Sequence, residues 1–145
     1  MWIFFALAAA IIWGVNYAAS GRVLSRGMSP ATLFFLDMLF GLLAVCGLLA
    51  CMGKLGRVAG EVRMLGGDVF WLVVAMCCST AAGLLIFMAI EGRNATVASL
   101  IEISYPLFVA LFAWLFFREL QFNWQTAVGG MLILVGVFIV WRSNP

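Results

Sequence analysis

The sequence predicts an all-α membrane protein, a single domain of five transmembrane helices. Three observations lead there. Hydrophobic residues make up 66% of the 145-residue chain and charged residues only 10%, against about 45–50% and about 25% in soluble domains. Five charge-poor apolar runs each approach the roughly 20 residues a helix needs to cross hydrocarbon. The connections between the runs are short, with one exception. So little polar surface cannot coat a water-soluble globule, which excludes a cytosolic or secreted domain and a disordered chain. A nucleic-acid partner is excluded too, because its phosphates would need clustered Lys and Arg, and the net charge is only +2. The lipid bilayer is the expected solvent.

The first helix is expected over 2–20, closed by Gly21 and Arg22. No Lys or Arg precedes it and the run is too long for a signal-peptide core, so it reads as a retained membrane helix. The second runs over 30–51, where Ser29-Pro30 supplies an N-cap and a proline at the first turn. The third, 69–90, starts after Asp68, an acid at the favourable end of the helix dipole. The fourth covers 95–117 and the fifth 122–141, closed by the interfacial pair Trp141-Arg142. The long connection, about 52–68, is rich in glycine and reads as a flexible loop with a short interfacial turn. Lys54 is followed by Leu55 and lacks the spacing of a phosphate loop. Asn94-Ala95-Thr96 matches a glycosylation sequon, but its place in a tight connection against the membrane argues against modification. Small residues recur at Ala6, Ala10, Gly14 and Ala18, and at Ala75, Ser79 and Gly83. In lipid such stripes allow close backbone approach, so both are expected to pack inside the chain.

The sequence holds no histidine, and Cys46, Cys51, Cys77 and Cys78 sit within apolar runs without Cys-x-x-Cys spacing. They read as small apolar residues, and neither a metal nor a cofactor is expected. With the N-terminus placed inside, the inner loops carry Lys54, Arg57, Arg63 and Arg118, and the outer segments carry Arg22, Arg26, Arg93 and Arg142. Four against four gives no positive-inside bias. Two readings follow: one orientation set by the long loop, or insertion both ways to form an antiparallel homodimer. Many transporters consist of two inverted repeats around a midplane site, and five helices amount to one such half.

Asp37 and Glu102 interrupt apolar runs. An acid at the centre of a membrane helix costs about 2.5–3.5 kcal/mol on insertion scales and usually faces a cavity or a partner. Each lies seven residues into its helix, about 10 Å deep at 1.5 Å per residue. The second and fourth helices run in the same direction, so both acids belong to one half of the membrane. Asn16, Tyr17, Ser99, Ser104 and Tyr105 reach that half too, and Ser99, Glu102 and Tyr105 share a face by their spacing. Glu102 is the candidate to hold a proton, release it and take a cationic substrate in exchange. Pro106, four residues on, is expected to kink the helix and free carbonyls beside the acid. Asp37 is a second candidate, with the alternative that Arg22 or Arg26 reaches down to pair with it. Arg118-Glu119 reads as an interfacial charge pair.

Trp13-Gly14-Val15-Asn16-Tyr17 resembles the W-G-x-N-[FY] start of EamA-type domains of the drug/metabolite transporter superfamily. Met28-Ser29-Pro30 resembles the G-x-S-P that opens their second helix. Pro106, Phe117-Arg118-Glu119-Leu120, Gly129-Gly130 and Val135-Gly136-Val137 are similar to the family's P…G-E-x-L…G-x-x-L-I-x-x-G-V ending. The likeness spans nearly the whole chain as one five-helix repeat. It implies a carrier of small organic molecules, often an exporter of metabolites, amino acids or drugs, in the inner membrane of a bacterial or archaeal cell. Most members have ten helices in two inverted halves, so a single half implies a homodimer or a paralogous subunit. The family's cavity is lined by the first, third and fourth helices of each half, which would include Asn16, Tyr17, Glu102 and Tyr105. The chain departs from the pattern in two places. Asp37 stands where members often carry a base, and an acid at Glu102 is not a general feature.

Two rival readings stand beside this one, the first also a transport reading and the second of a different class. One is a subunit of a lipid-linked sugar flippase. The other is a non-transporting scaffold or accessory subunit, in which both acids are structural. An enzyme is not expected, because no catalytic pairing appears at usable spacing.

Overall fold

A computed structural model of the chain describes residues 1–119 and 123–143. Its elements are α1 (Trp2–Leu24), α2 (Pro30–Cys51), the short α3 (Val58–Met64), α4 (Val69–Gly92), α5 (Ala95–Glu102), α6 (Tyr105–Phe112) and α7 (Trp124–Ser143). Among the described residues there is no strand. Five segments are long and apolar enough to cross a membrane: α1, α2, Gly66–Gly92, Ala95–Phe117 and α7. At 1.5 Å per residue, the 23 residues of α1 reach about 35 Å, enough for a hydrocarbon layer of about 30 Å.

Local chemistry explains most boundaries. The Ser29 side chain accepts from the Thr32 N–H at 3.2 Å with Pro30 at the first turn, so α2 starts as its sequence expects. Asn94 is a cap that the sequence reading did not single out: its Oδ1 accepts from the Val97 N–H at 2.8 Å. Asn123 does the same for α7, accepting from the Thr126 N–H and hydroxyl, both at 2.8 Å. The expected start of the last helix at residue 122 lies outside the described residues.

Four expectations need correction. First, α1 does not stop at residue 20 but runs through Gly21 and Arg22 to Leu24. Gly21 is there for close approach rather than termination. A Cβ on it would stand 3.3 Å from the Ala95 Cβ and 3.6 Å from the Ile90 Cγ2. The left-handed turn falls instead at Gly27, with φ +94°. Second, the fourth span is not one helix. It breaks between Glu102 and Tyr105 and passes into a π-helical turn at Ala113–Phe117. Third, the α1 stripe does not pack inside the chain. Ala6, Ala10, Gly14 and Ala18 are exposed, and nothing lies within 4 Å of where a Gly14 Cβ would be. Only the end of the α4 stripe packs internally: a Cβ on Gly83 would lie 2.6 Å from the Phe34 ring, so α2 and α4 meet there as close neighbours. Fourth, the connection at 52–68 is more ordered than a flexible loop. It consists of α3 between 3-10 turns at Leu55–Arg57 and Gly66–Asp68.

The reason the α1 stripe stays open lies in where the core sits. Leu24, Phe87, Ile90 and Ala98 form the buried cluster, with Tyr17, Leu33, Phe34, Ile86 and Ala95 packed against it. All of these stand where the end of α1, the start of α2, the end of α4 and the start of α5 converge. Every residue from Met1 to Val15 is exposed. The end of α1 is therefore tied to α2, α4 and α5, and its inner face stays uncovered over about two thirds of its length, while the start of α4 and the end of the fourth span meet separately through Trp71 and Phe117, with ring centroids 4.8 Å apart. The chain exposes 11317 Å², against roughly 7,300 Å² for a compact chain of this mass.

Candidate functional site

The tied end holds the polar residues. Trp13, Asn16, Tyr17, Ser20, Gly21 and Leu24 recur at helical spacing on the face of α1 turned towards α4 and α5. Ser20 and Leu24 on it are buried, and Trp13 and Tyr17 are in ring contact, with centroids 5.3 Å apart. From this face the Tyr17 hydroxyl donates a hydrogen bond of 2.6 Å to Glu102 Oε2. Both residues are half-buried. A hydroxyl bonded to a carboxylate at this length is a charge-assisted bond. It links the first span to the fourth across 85 residues of sequence.

Glu102 is the last residue of α5, and its position follows from Pro106. Proline has no N–H for the carbonyl four residues earlier, and its ring clashes with that carbonyl, here that of Glu102. The helix accordingly ends at Glu102 and restarts at Tyr105. Ser104 satisfies the carbonyl of Ile101 twice, through its N–H at 3.2 Å and its hydroxyl at 2.9 Å. The expected kink is therefore a break, and it puts the carboxylate at a helix end. Non-helical backbone at membrane depth is tolerated where it lines a cavity or is covered by protein.

Of the sequence candidates, the structure brings Tyr17 and Glu102 into contact. Tyr105 opens α6 and is 60% exposed. Asn16, beside Tyr17 on α1, has a buried Oδ1 with no hydrogen-bond partner among the described residues. Ser99 is not engaged with the acid: its hydroxyl donates to the carbonyl of Thr96 at 3.1 Å. The shared face of Ser99, Glu102 and Tyr105 is cut by the break. Asp37 stays outside the cluster, half-buried on α2, and pairs with neither Arg22 nor Arg26. Those two arginines line an open pocket with Gly27, Ser29 and Thr32. Arg118 lies over the Trp114 ring, 5.6 Å from its centroid. Ser20 and the Trp13 ring were not singled out as site residues. Their spacing from Tyr17 on one helix face was the available signal.

The family model of the EamA-like transporter family matches residues 1–142. The chain belongs to the EamA-like transporter family. No curated protein and no solved structure matches it significantly. This is a membrane transporter whose intramembrane acid is hydrogen-bonded to its first helix.

Proposed function

We propose that this chain is one half of a carrier for small organic solutes, metabolites or drugs, that pairs in antiparallel fashion with a second copy or a paralogous subunit. The carrier works by alternating access as an exporter, and its solute site is built from Asn16, Tyr17, Glu102 and Tyr105. The observation that carries this reading is the Tyr17–Glu102 hydrogen bond of 2.6 Å at the break in the fourth span. A cationic solute competes with the Tyr17 hydroxyl for the carboxylate, and Asn16 Oδ1 offers an acceptor for a solute N–H. Occupancy thus removes the tie between the first and fourth spans, and solute binding shifts the balance between two arrangements of the helices. A proton on Glu102 does the same from the other direction, which provides the exchange. Pairing is supported by the uncovered inner face of α1 and by the surface in excess of a compact chain.

The test uses proteoliposomes containing the purified chain alone, with uptake of labelled organic cations, amino acids and nucleosides compared for wild type and Glu102→Gln. Uptake by wild type that falls at least tenfold in Glu102→Gln supports the reading. Equal uptake in both removes Glu102 from the pathway. In a cysteine-free background, single cysteines at opposite ends of the spans should crosslink between protomers. Crosslinks between same-end positions only contradict the antiparallel pair.

A further inference from the structure

The Arg22–Arg26 pocket plays no part in the solute site. It is an opening of about 660 Å³ lined by Arg22, Val23, Arg26, Met28, Ser29 and Thr32, with the Gly27 turn between its two walls. That volume lies within the range of small-molecule sites, about 300–1,000 Å³. We propose that this pocket binds one phosphate-bearing anion, and that the group it takes is the phosphate of an anionic lipid or of a free phosphorylated solute.

Several observations carry this. Arg22 and Arg26 stand four positions apart, and the chain continues helically past Leu24, with the Arg26 N–H donating to the Val23 carbonyl at 3.0 Å. Both side chains therefore lie on one side of the α1 end. None of the lining residues is acidic, and among the described residues neither arginine has an acidic partner, so the positive charge is uncompensated. Two guanidinium groups match phosphate oxygens in bidentate geometry. On the opposite wall are the hydroxyls of Ser29 and Thr32, 2.9 Å apart, at the start of the 22-residue α2, where the helix dipole adds a weak preference for an anion. The left-handed Gly27 (φ +94°) folds the two walls together. Finally, the pocket lies where two spans end, at the depth of lipid headgroups. Val23 and Met28 give it an apolar part suited to a glycerol backbone and the first acyl carbons. The inference does not depend on the transport reading.

The test uses the full chain in a neutral detergent with equimolar phosphatidylglycerol and phosphatidylcholine, counting retained lipid by native mass spectrometry. Inorganic phosphate binding is followed in parallel by phosphorus NMR. Wild type should retain one phosphatidylglycerol in preference to phosphatidylcholine. A basic side chain near a membrane surface contributes about fivefold to anion binding. Retention should therefore fall about fivefold in Arg26→Gln and about 25-fold in Arg22→Gln/Arg26→Gln, and stay unchanged in Lys54→Gln/Arg57→Gln. Arg26 lies outside α1 in an exposed turn, so its variant should keep the fold, with helicity as the check. Arginine-dependent binding of inorganic phosphate without lipid preference supports the site and assigns it to a free solute. Equal phosphatidylglycerol retention and no arginine-dependent phosphate binding overturn the proposal. So does an equal loss in Lys54→Gln/Arg57→Gln.

Discussion

Replacing Tyr17 by Phe removes one oxygen atom and leaves the ring in place against Trp13. The lost bond is 2.6 Å long, half-buried and made to a carboxylate. A hydrogen bond to a charged group contributes about 1.5–3 kcal/mol. Partial exposure of both partners lowers this, so Tyr17→Phe should cost about 1–2 kcal/mol. The loss should depend on Glu102. An acid within a span costs about 2.5–3.5 kcal/mol on insertion scales, so Glu102→Leu alone should be neutral or stabilising. In that background Tyr17→Phe should cost no more than about 0.3–0.5 kcal/mol, the additivity expected of uncoupled residues. The assay is reversible unfolding in mixed micelles with increasing denaturing detergent, followed by helicity, for the four proteins of the cycle. An equal cost of Tyr17→Phe in both backgrounds would refute the view that the bond ties the first span to the fourth.

Three further outcomes follow from the same geometry. Gly83→Val drives a side chain into the Phe34 ring and should destabilise by about 1–3 kcal/mol; Phe34→Ala in the same protein should restore part of it, measured by the same titration. Asn94→Ala removes the cap on α5 and should cost about 1 kcal/mol, seen as faster hydrogen exchange over 95–98 with α7 unaffected. Pro106→Ala returns an N–H to the chain within reach of the Glu102 carbonyl. It should slow hydrogen exchange across 102–106 and lower solute uptake; unchanged exchange there would show that the break has another cause.

The sequence made the five spans legible because their signal is composition and length, which tertiary context does not alter. The cap at Ser29 could be read because one side chain serves a backbone N–H three residues on; the same role of Asn94 went unread, because Asn94-Ala95-Thr96 was weighed only as a glycosylation sequon. Gly21 misled because a glycine after an apolar run signals a helix end as readily as a contact, and only the neighbouring Ala95 distinguishes the two. The break at 103–104 was legible as a kink at Pro106, but its extent depends on Ser104 supplying the Ile101 carbonyl. Glu102 and Tyr17 were each recognisable as polar residues at one depth. Their direct bond was not, since it depends on how α1 leans against α5. The open α1 stripe was misread for a related reason: small residues mark where helices can approach, not which chain supplies the second helix.

In the proposed carrier a solute passes by way of the Tyr17–Glu102 pair. Charge movement in proteoliposomes holding this chain alone tests it most directly, with cationic, amino-acid and nucleoside solutes applied at two pH values to wild type and Glu102→Gln. Wild type should show a solute-dependent current that changes with pH and is lost in Glu102→Gln. A current of the same size and pH dependence in Glu102→Gln would contradict it.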